Sequence, residues 1–205
     1  MIRFIRADDL HLHSQLRDSM FRDRADQFKT RLGWAVSVDG TSYEMDAYDR
    51  LNPLYVICQG ADGGHLGSMR FLPMTGPNMI EDHFSHLVNG RQIGNDRIWE
   101  CTRFCLGQNA GPHVAGRLMS AGGEILHGFG LDAFAGVFDE RMIRIYKNVS
   151  GLRPRSSEVR DRGVTRSAWV CGGSRQPRAA AWPVGLACRN RSSATGSKAV
   201  SDARP

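Results

Sequence analysis

Four groups of residues in this sequence combine types and spacing that could carry chemistry. Arg24, Phe28 and Trp34 lie together in RADQFKTRLGW. Arg24 and Phe28 are four apart, hence neighbours if the segment is helical. Two aromatic rings close to an arginine can clamp a molecule that carries a ring, a cation and a carboxylate. Core aromatics beside a solvated arginine give the same spacing. Asp46 and Asp49, in YEMDAYDRLNP, can hold a cation or order an arginine, or simply form a turn that Asn52-Pro53 punctuates. Arg70 interrupts the apolar run LGSMRFL, and a charge at a strand centre is costly unless it is paired or exposed. Its natural partners are Asp46, Asp49 and Glu100. Glu100 and Arg103 share RIWECTRFCL, where a carboxylate among apolar neighbours can take a raised pKa and act as a base, or form a structural ion pair. They are three apart, so a regular strand points them to opposite faces. Both serve one site only if a bulge intervenes or the site wraps the strand edge.

Other chemistries lack their residues. The histidines of HLH at 11–13 and His83/His86 have no carboxylate or thiol companions at metal spacing, so no metal or resident cofactor is expected. GxSxG, P-loop and GxGxxG patterns do not occur. Gln108-Asn109-Ala110-Gly111-Pro112-His113 is close to the loop with which acetyltransferases cradle the pyrophosphate of acetyl-CoA. His113, however, stands where a small residue would let the backbone approach phosphate. Cys58, Cys101, Cys105, Cys171 and Cys188 are odd in number and contain no CxxC, which reads as buried thiols of a reduced, cytoplasmic chain. No run approaches the length of a membrane span, and MIRFIRADDLHLH has no signal-peptide core.

The elements that must position these groups follow from periodicity. Asp8 or Asp9 can cap a first helix carrying Leu12, Leu16 and Met20 on one face. Residues 22–45 read as polar and irregular. Leu54–Cys58, Leu66–Leu72, Arg97–Leu106 and Phe134–Phe138 read as strands, and EDHF as a short helical turn. His113–Gly130 has a helical apolar period despite five glycines. A last helix is expected at Glu140–Val149, capped by Asp139 and ended by Gly151. Strands alternating with helices make the class α/β with a mixed sheet.

The 205 residues hold 27 Lys+Arg and 21 Asp+Glu, but this excess of base is confined to one end. Residues 1–151 contain 16 Lys+Arg and 18 Asp+Glu, whereas residues 152–205 contain 11 and 3. The division is therefore a globular unit over 1–151 and a basic, low-complexity tail over 152–205. That tail has no Ile, Phe, Tyr or Met, too little apolar surface to offset backbone ordering. It reads as a disordered tail, as an arginine-rich arm for nucleic acid, or as an out-of-frame translation of GC-rich DNA. Its arginines lack aromatic stacking platforms, which makes nucleic acid the less favoured partner.

Taken in order, the motifs resemble the acyl-homoserine-lactone synthases, the LuxI-type autoinducer synthases, over about Met1 to Gly151. The likeness rests on Arg24, Phe28 and Trp34; on Asp46 and Asp49 followed by LNP; on Ser68–Pro73; on Phe84 in EDHF; and on Trp99–Phe104. It implies an N-acetyltransferase-like twisted mixed sheet flanked by helices, with a V-shaped cleft. The implied substrates are S-adenosylmethionine and an acyl-acyl-carrier protein, joined by amide formation and then lactonisation into a quorum-sensing signal. In the implied site Glu100 is the base, and Asp46, Asp49, Arg70 and Arg103 form an ion-pair network. Trp34 and Phe28 bound the adenosyl or sulfonium end, and Arg24 contacts its polar groups. Phe84 and Phe104 complete the binding residues, and Thr102 meets the acyl carbonyl. Leu118, Met119, Met142 and Ile145 either line the acyl chain or belong to the core, as apolar helix positions more often do. The sequence departs from the family after Gly151. A final strand of the I-S-V-G-L-W kind has no counterpart in LRPRSSEVRDRGVTRSAWVCGG, so that strand is expected to be absent, and the synthase impaired.

Overall fold

The computed structural model describes residues 1–139, 155–161 and 164–172, the last two stretches as backbone. IRFIR forms strand β1 (Ile2–Arg6), with Ile5 buried. Five residues at a chain end carry little periodic signal, and β1 is not among the expected elements. A tight helical turn, Ala7–His13, leads into helix α1 (Ser14–Ala25). Asp8 and Asp9 lie inside that turn and do not cap it; the cap position is Arg6, with no side-chain hydrogen bond. The tighter winding changes the phase of the following helix. Leu12 consequently points outward, 68% exposed, while Leu16 and Met20 are buried. Nor is the stretch after residue 22 irregular throughout, because α1 runs on into a widened turn at Asp26–Arg31. Gly33, at φ 64°, allows the sharp reversal that ends it.

Strands β2 (Leu54–Gln59) and β3 (His65–Pro73) fall where alternation and β-branching place them. They are followed by the short helix α2 (Met79–His83), strand β4 (Ile98–Leu106), helix α3 (His113–Gly128) and strand β5 (Ala133–Asp139). In α3, Val114, Leu118, Ala121 and Ile125 recur on one buried stripe, which outweighs the helix cost of its glycines. With β6 at Arg155–Asp161 and β7 at Val164–Gly172, the sheet order is β1-β2-β3-β4-β5-β7-β6. Every pairing is antiparallel except β4 with β5. One face packs Val56, Met69, Phe71 and Trp99 against α3. The other packs Tyr55 and Ile57 against α1 through Leu16, Met20 and Phe21. His65 fastens β3 to α1, with Nδ1 2.7 Å from Asp23 and Nε2 3.0 Å from Ser68.

β4 and β5 pair only at Ile98, Trp99 and Glu100 with Ala133, Phe134 and Ala135, although both strands continue. They part directly after Glu100.

The backbone beyond 151 differs from the expectation of a structureless tail. β6 (Arg155–Asp161) and β7 (Val164–Gly172) form an antiparallel pair, and β7 pairs β5 along all seven residues from Ala133 to Asp139. Sheet hydrogen bonds come from the backbone and need only a compatible edge, so a poor composition does not forbid them. Two strands thus stand where no final strand was expected, and one compact unit extends from Met1 to Gly173. The expected helix Glu140–Val149 and residues 173–205 lie outside the described residues. Among the described residues no helix is long and apolar enough to cross a membrane.

Candidate active site

The site is built on the α1 face of the sheet, around three arginines and three carboxylates. Arg24, on α1, is 1% exposed. Its Nε donates to Glu44 at 2.7 Å, and its Nη1 and Nη2 donate to the two oxygens of Asp49 at 3.0 Å each. Arg70, on β3, is fully buried. It donates to Asp46 at 2.5 and 3.0 Å, to Asp49 at 2.8 Å and to the Thr102 hydroxyl at 3.0 Å. Arg103, on β4, donates to Glu44 at 3.0 Å and approaches Asp46 at 2.7 Å. Such charges survive burial because each guanidinium fork meets carboxylate oxygens on more than one side. Burial pushes the Asp49 carboxyl upward, but Arg24 and Arg70 more than reverse this and hold it below the usual carboxylate range. Tyr55 adds a hydroxyl donor to Asp49 at 2.5 Å, and its own pKa is raised by burial and by that carboxylate.

Asp46 and Asp49 are also a turn, so both readings of the pair hold. They close a reciprocal cap on the tight helix Ala47–Arg50: Asp46 accepts from the N–H groups of Tyr48 and Asp49, and Asp49 accepts from that of Asp46. The cap orients the carboxylates before any arginine is added.

The geometric difficulty at β4 is resolved by a bulge. Thr102 pairs with Arg70 and Cys105 with Ser68, so Arg103 and Phe104 oppose Met69 alone. Arg103 takes the left-handed φ of 53° that the irregularity requires. Side-chain parity changes there: Trp99 and Cys101 pack on the α3 side before the bulge, and Phe104 and Leu106 after it. Thr102 and Arg103 are thereby both delivered to the arginine-rich face. Glu100 shares that face and is 1% exposed. It accepts from the backbone N–H groups of Met79 at 3.0 Å and Ile80 at 2.8 Å, anchoring the first turn of α2. Burial raises its pKa, a rise that those two hydrogen bonds and Arg70 oppose.

Phe28 and Trp34 stack, with centroids 5.0 Å apart and planes 13° from parallel, and the Arg103 guanidinium lies 5.4 Å from the Phe28 ring centre. Of the expected site residues, the structure brings together Arg24, Phe28, Trp34, Asp46, Asp49, Arg70, Thr102 and Arg103. Arg24 differs from expectation in role: its guanidinium is enclosed by Glu44 and Asp49 rather than held toward a ligand. Phe104 packs against the α3-side core, across the sheet from the ion network. Phe84 follows α2, its ring 6.3 Å from that of His86. Leu118 is a fully buried core residue and Met119 packs on the same cluster, while Met142 and Ile145 lie outside the described residues. Glu44 and Tyr55 are members that spacing does not reveal. Glu44 carries only the weak signal of alternating with Asp46, and Tyr55 looks like any strand aromatic.

Comparison with known proteins identifies the family and the fold. The sequence pattern of the autoinducer synthase family matches residues 8–156. The chain is 36% identical over 163 residues to an acyl-homoserine-lactone synthase of Rhizobium etli, spanning 75% of each protein. In fold it is similar to BjaI, a CoA-dependent acyl-homoserine lactone synthase solved with SAM and isopentyl-CoA. That likeness has a TM-score of 0.74 at 22% identity, over 84% of this chain and 83% of BjaI. An acyl-CoA N-acyltransferase from Pseudomonas aeruginosa shares the fold more distantly, at a TM-score of 0.56 and 13% identity over 84% of this chain and 99% of its own. The expected N-acetyltransferase-like mixed sheet is therefore the fold observed, and the chain belongs to the autoinducer synthase family, an acyltransferase of the acyl-homoserine-lactone synthase kind.

Proposed function

We propose that the chain makes an acyl-homoserine lactone from S-adenosylmethionine and an acyl-acyl-carrier protein, by amide formation followed by lactonisation. The observation that carries this reading is the placement of Glu100 at the last paired position before β4 and β5 part, with the bulge turning Thr102 and Arg103 to the same face. A buried carboxylate, a hydroxyl and a guanidinium then share one face of β4 where its pairing with β5 ends.

The first step needs a free amine, because an α-ammonium has no lone pair to attack a thioester. Glu100, with its pKa raised by burial, accepts that proton through a water molecule while its oxygens still hold α2. The amine nitrogen attacks the thioester carbonyl, the new C–N bond forms, the C–S bond breaks, and the carrier thiol leaves with a proton. Thr102 donates to the carbonyl oxygen as charge develops on it. The substrate carboxylate then attacks the carbon beside the sulfonium. A C–O bond closes the lactone ring, the C–S bond breaks, and neutral methylthioadenosine leaves. Sulfonium is already a good leaving group, so the protein mainly supplies conformation. Phe28 and Trp34 wall the cationic adenosyl end, and the ion network holds Arg103 against them.

The loop before α3 supports a carrier protein over CoA. A side chain at Gly111 would lie 3.0 Å from the exposed His113 ring, which stands where a small residue would let the backbone approach a pyrophosphate. The test supplies purified protein with S-adenosylmethionine and either acyl-carrier protein or the matching acyl-CoA. Lactone and methylthioadenosine in equal amounts, faster with the carrier protein, are expected. No lactone from either donor would overturn the reading, and faster turnover of acyl-CoA would overturn its donor.

A further inference from the structure

Beyond the bulge, β4 pairs with no described strand on its β5 side, and the Gln27 side chain bonds to its backbone there. The Gln27 carboxamide donates from Nε2 to the Phe104 carbonyl at 2.9 Å, and its Oε1 accepts from the Leu106 N–H at 2.9 Å. These are the two hydrogen bonds that a neighbouring strand would make at that position. Gln27 belongs to the widened turn after α1 and directly precedes Phe28, while Phe104 directly follows Arg103. Two adjacent pairs are thus tied to each other: Gln27 to the Phe104 backbone, and the Phe28 ring to the Arg103 guanidinium.

We propose that Gln27 is a positioning residue, which locks the Phe28–Trp34 wall to the β4 bulge and so sets affinity for the sulfonium nucleoside. The inference rests on the proposed function for the identity of that ligand. An ordinary structural residue would affect stability and both substrates alike. Gln27 acts on one end of the site, because its bonds join the aromatic wall to β4 and touch neither α2 nor α3. A carboxamide is required in this place, since one atom must donate and its neighbour must accept.

Gln27→Leu keeps a branched side chain, one atom shorter, and removes both bonds. The expected result is faster hydrogen exchange at the Leu106 amide and S-adenosylmethionine binding about tenfold weaker, with the KM for acyl donor within about twofold. Gln27→Glu gives a sharper readout. Its carboxylate would face the Phe104 carbonyl and resemble Gln27→Leu at neutral pH. Once protonated it can donate and accept as the amide does, so nucleoside affinity should recover toward the parent as pH falls. Unchanged exchange at Leu106, equal loss of both substrates, or no recovery in acid would each overturn the positioning role while leaving the proposed function intact. A parent protein that binds no S-adenosylmethionine would instead sink the proposed function and this inference with it.

Discussion

The surroundings of Glu100, the proposed base, pull on its charge in opposite directions. Burial disfavours the carboxylate, whereas two backbone N–H groups and Arg70 favour it, with the balance on the raised side. The base form therefore accumulates above the ordinary carboxylate range. The acid limb of kcat/KM should lie at higher pH than for an exposed glutamate, and Glu100→Gln should abolish acylation while S-adenosylmethionine binding stays within about tenfold. Near-parent turnover of this variant at neutral pH would remove Glu100 from the role of base. The glutamine also presents an NH2 to a backbone N–H it cannot satisfy, so a stability loss of about 1–3 kcal/mol should accompany the change. Trp34→Ala removes one side of the aromatic wall and should cost about 1–2 kcal/mol of nucleoside affinity. Titration with each substrate separately checks this, and equal weakening of both would point to collapse of the core.

At the scale of elements, the site is a junction between the 21–50 region and strands β3 and β4, held by buried ion pairs. Arg24→Met leaves Glu44 and Asp49 each short of a partner in a dry environment, and should destabilise by about 3–5 kcal/mol in urea unfolding. Asp49 adds a pH dependence. Its carboxyl is depressed in the folded protein, so its stabilising contribution is complete above the unfolded value of about 3.9 and is lost as pH falls below it. Arg24→Met should flatten that acid limb. Just past the last β4–β5 pair, Gly136 permits a close approach of the two backbones, because a side chain there would lie 2.8 Å from the Cys101 carbonyl oxygen. Gly136→Ala should force the strands apart, with a stability loss of about 1–3 kcal/mol measurable by thermal unfolding.

For the whole molecule, the decisive feature is that the sheet does not stop at β5. Because β7 pairs β5 along its length, truncation after residue 151 exposes an edge of seven residues and should promote aggregation. Truncation after Gly173 leaves every described strand in place. Light scattering and activity of the two truncations separate these outcomes. Equal solubility would show that β6 and β7 add nothing to the unit.

The polypeptide chain alone determined its fold class and its family. Apolar alternation in LYVICQ and HLGSMRFLP, and the helical period of α3, are local patterns that burial then rewards, so their positions follow directly from residue order. The motif residues were equally legible, because a charged side chain in an apolar strand has to be paired. Tertiary structure decided what spacing leaves open. It chose Glu44 as the carboxylate shared by Arg24 and Arg103, since partners far apart in sequence meet only when the sheet and α1 dock. It placed the bulge that turns Arg103 beside Thr102, a change of register between two strands with no residue signature of its own. It enclosed Arg24, which looked like a ligand contact. Finally, it gave β6 and β7 a place on the β5 edge, because backbone hydrogen bonding answers to the neighbouring strand and not to the composition of the segment that fills it.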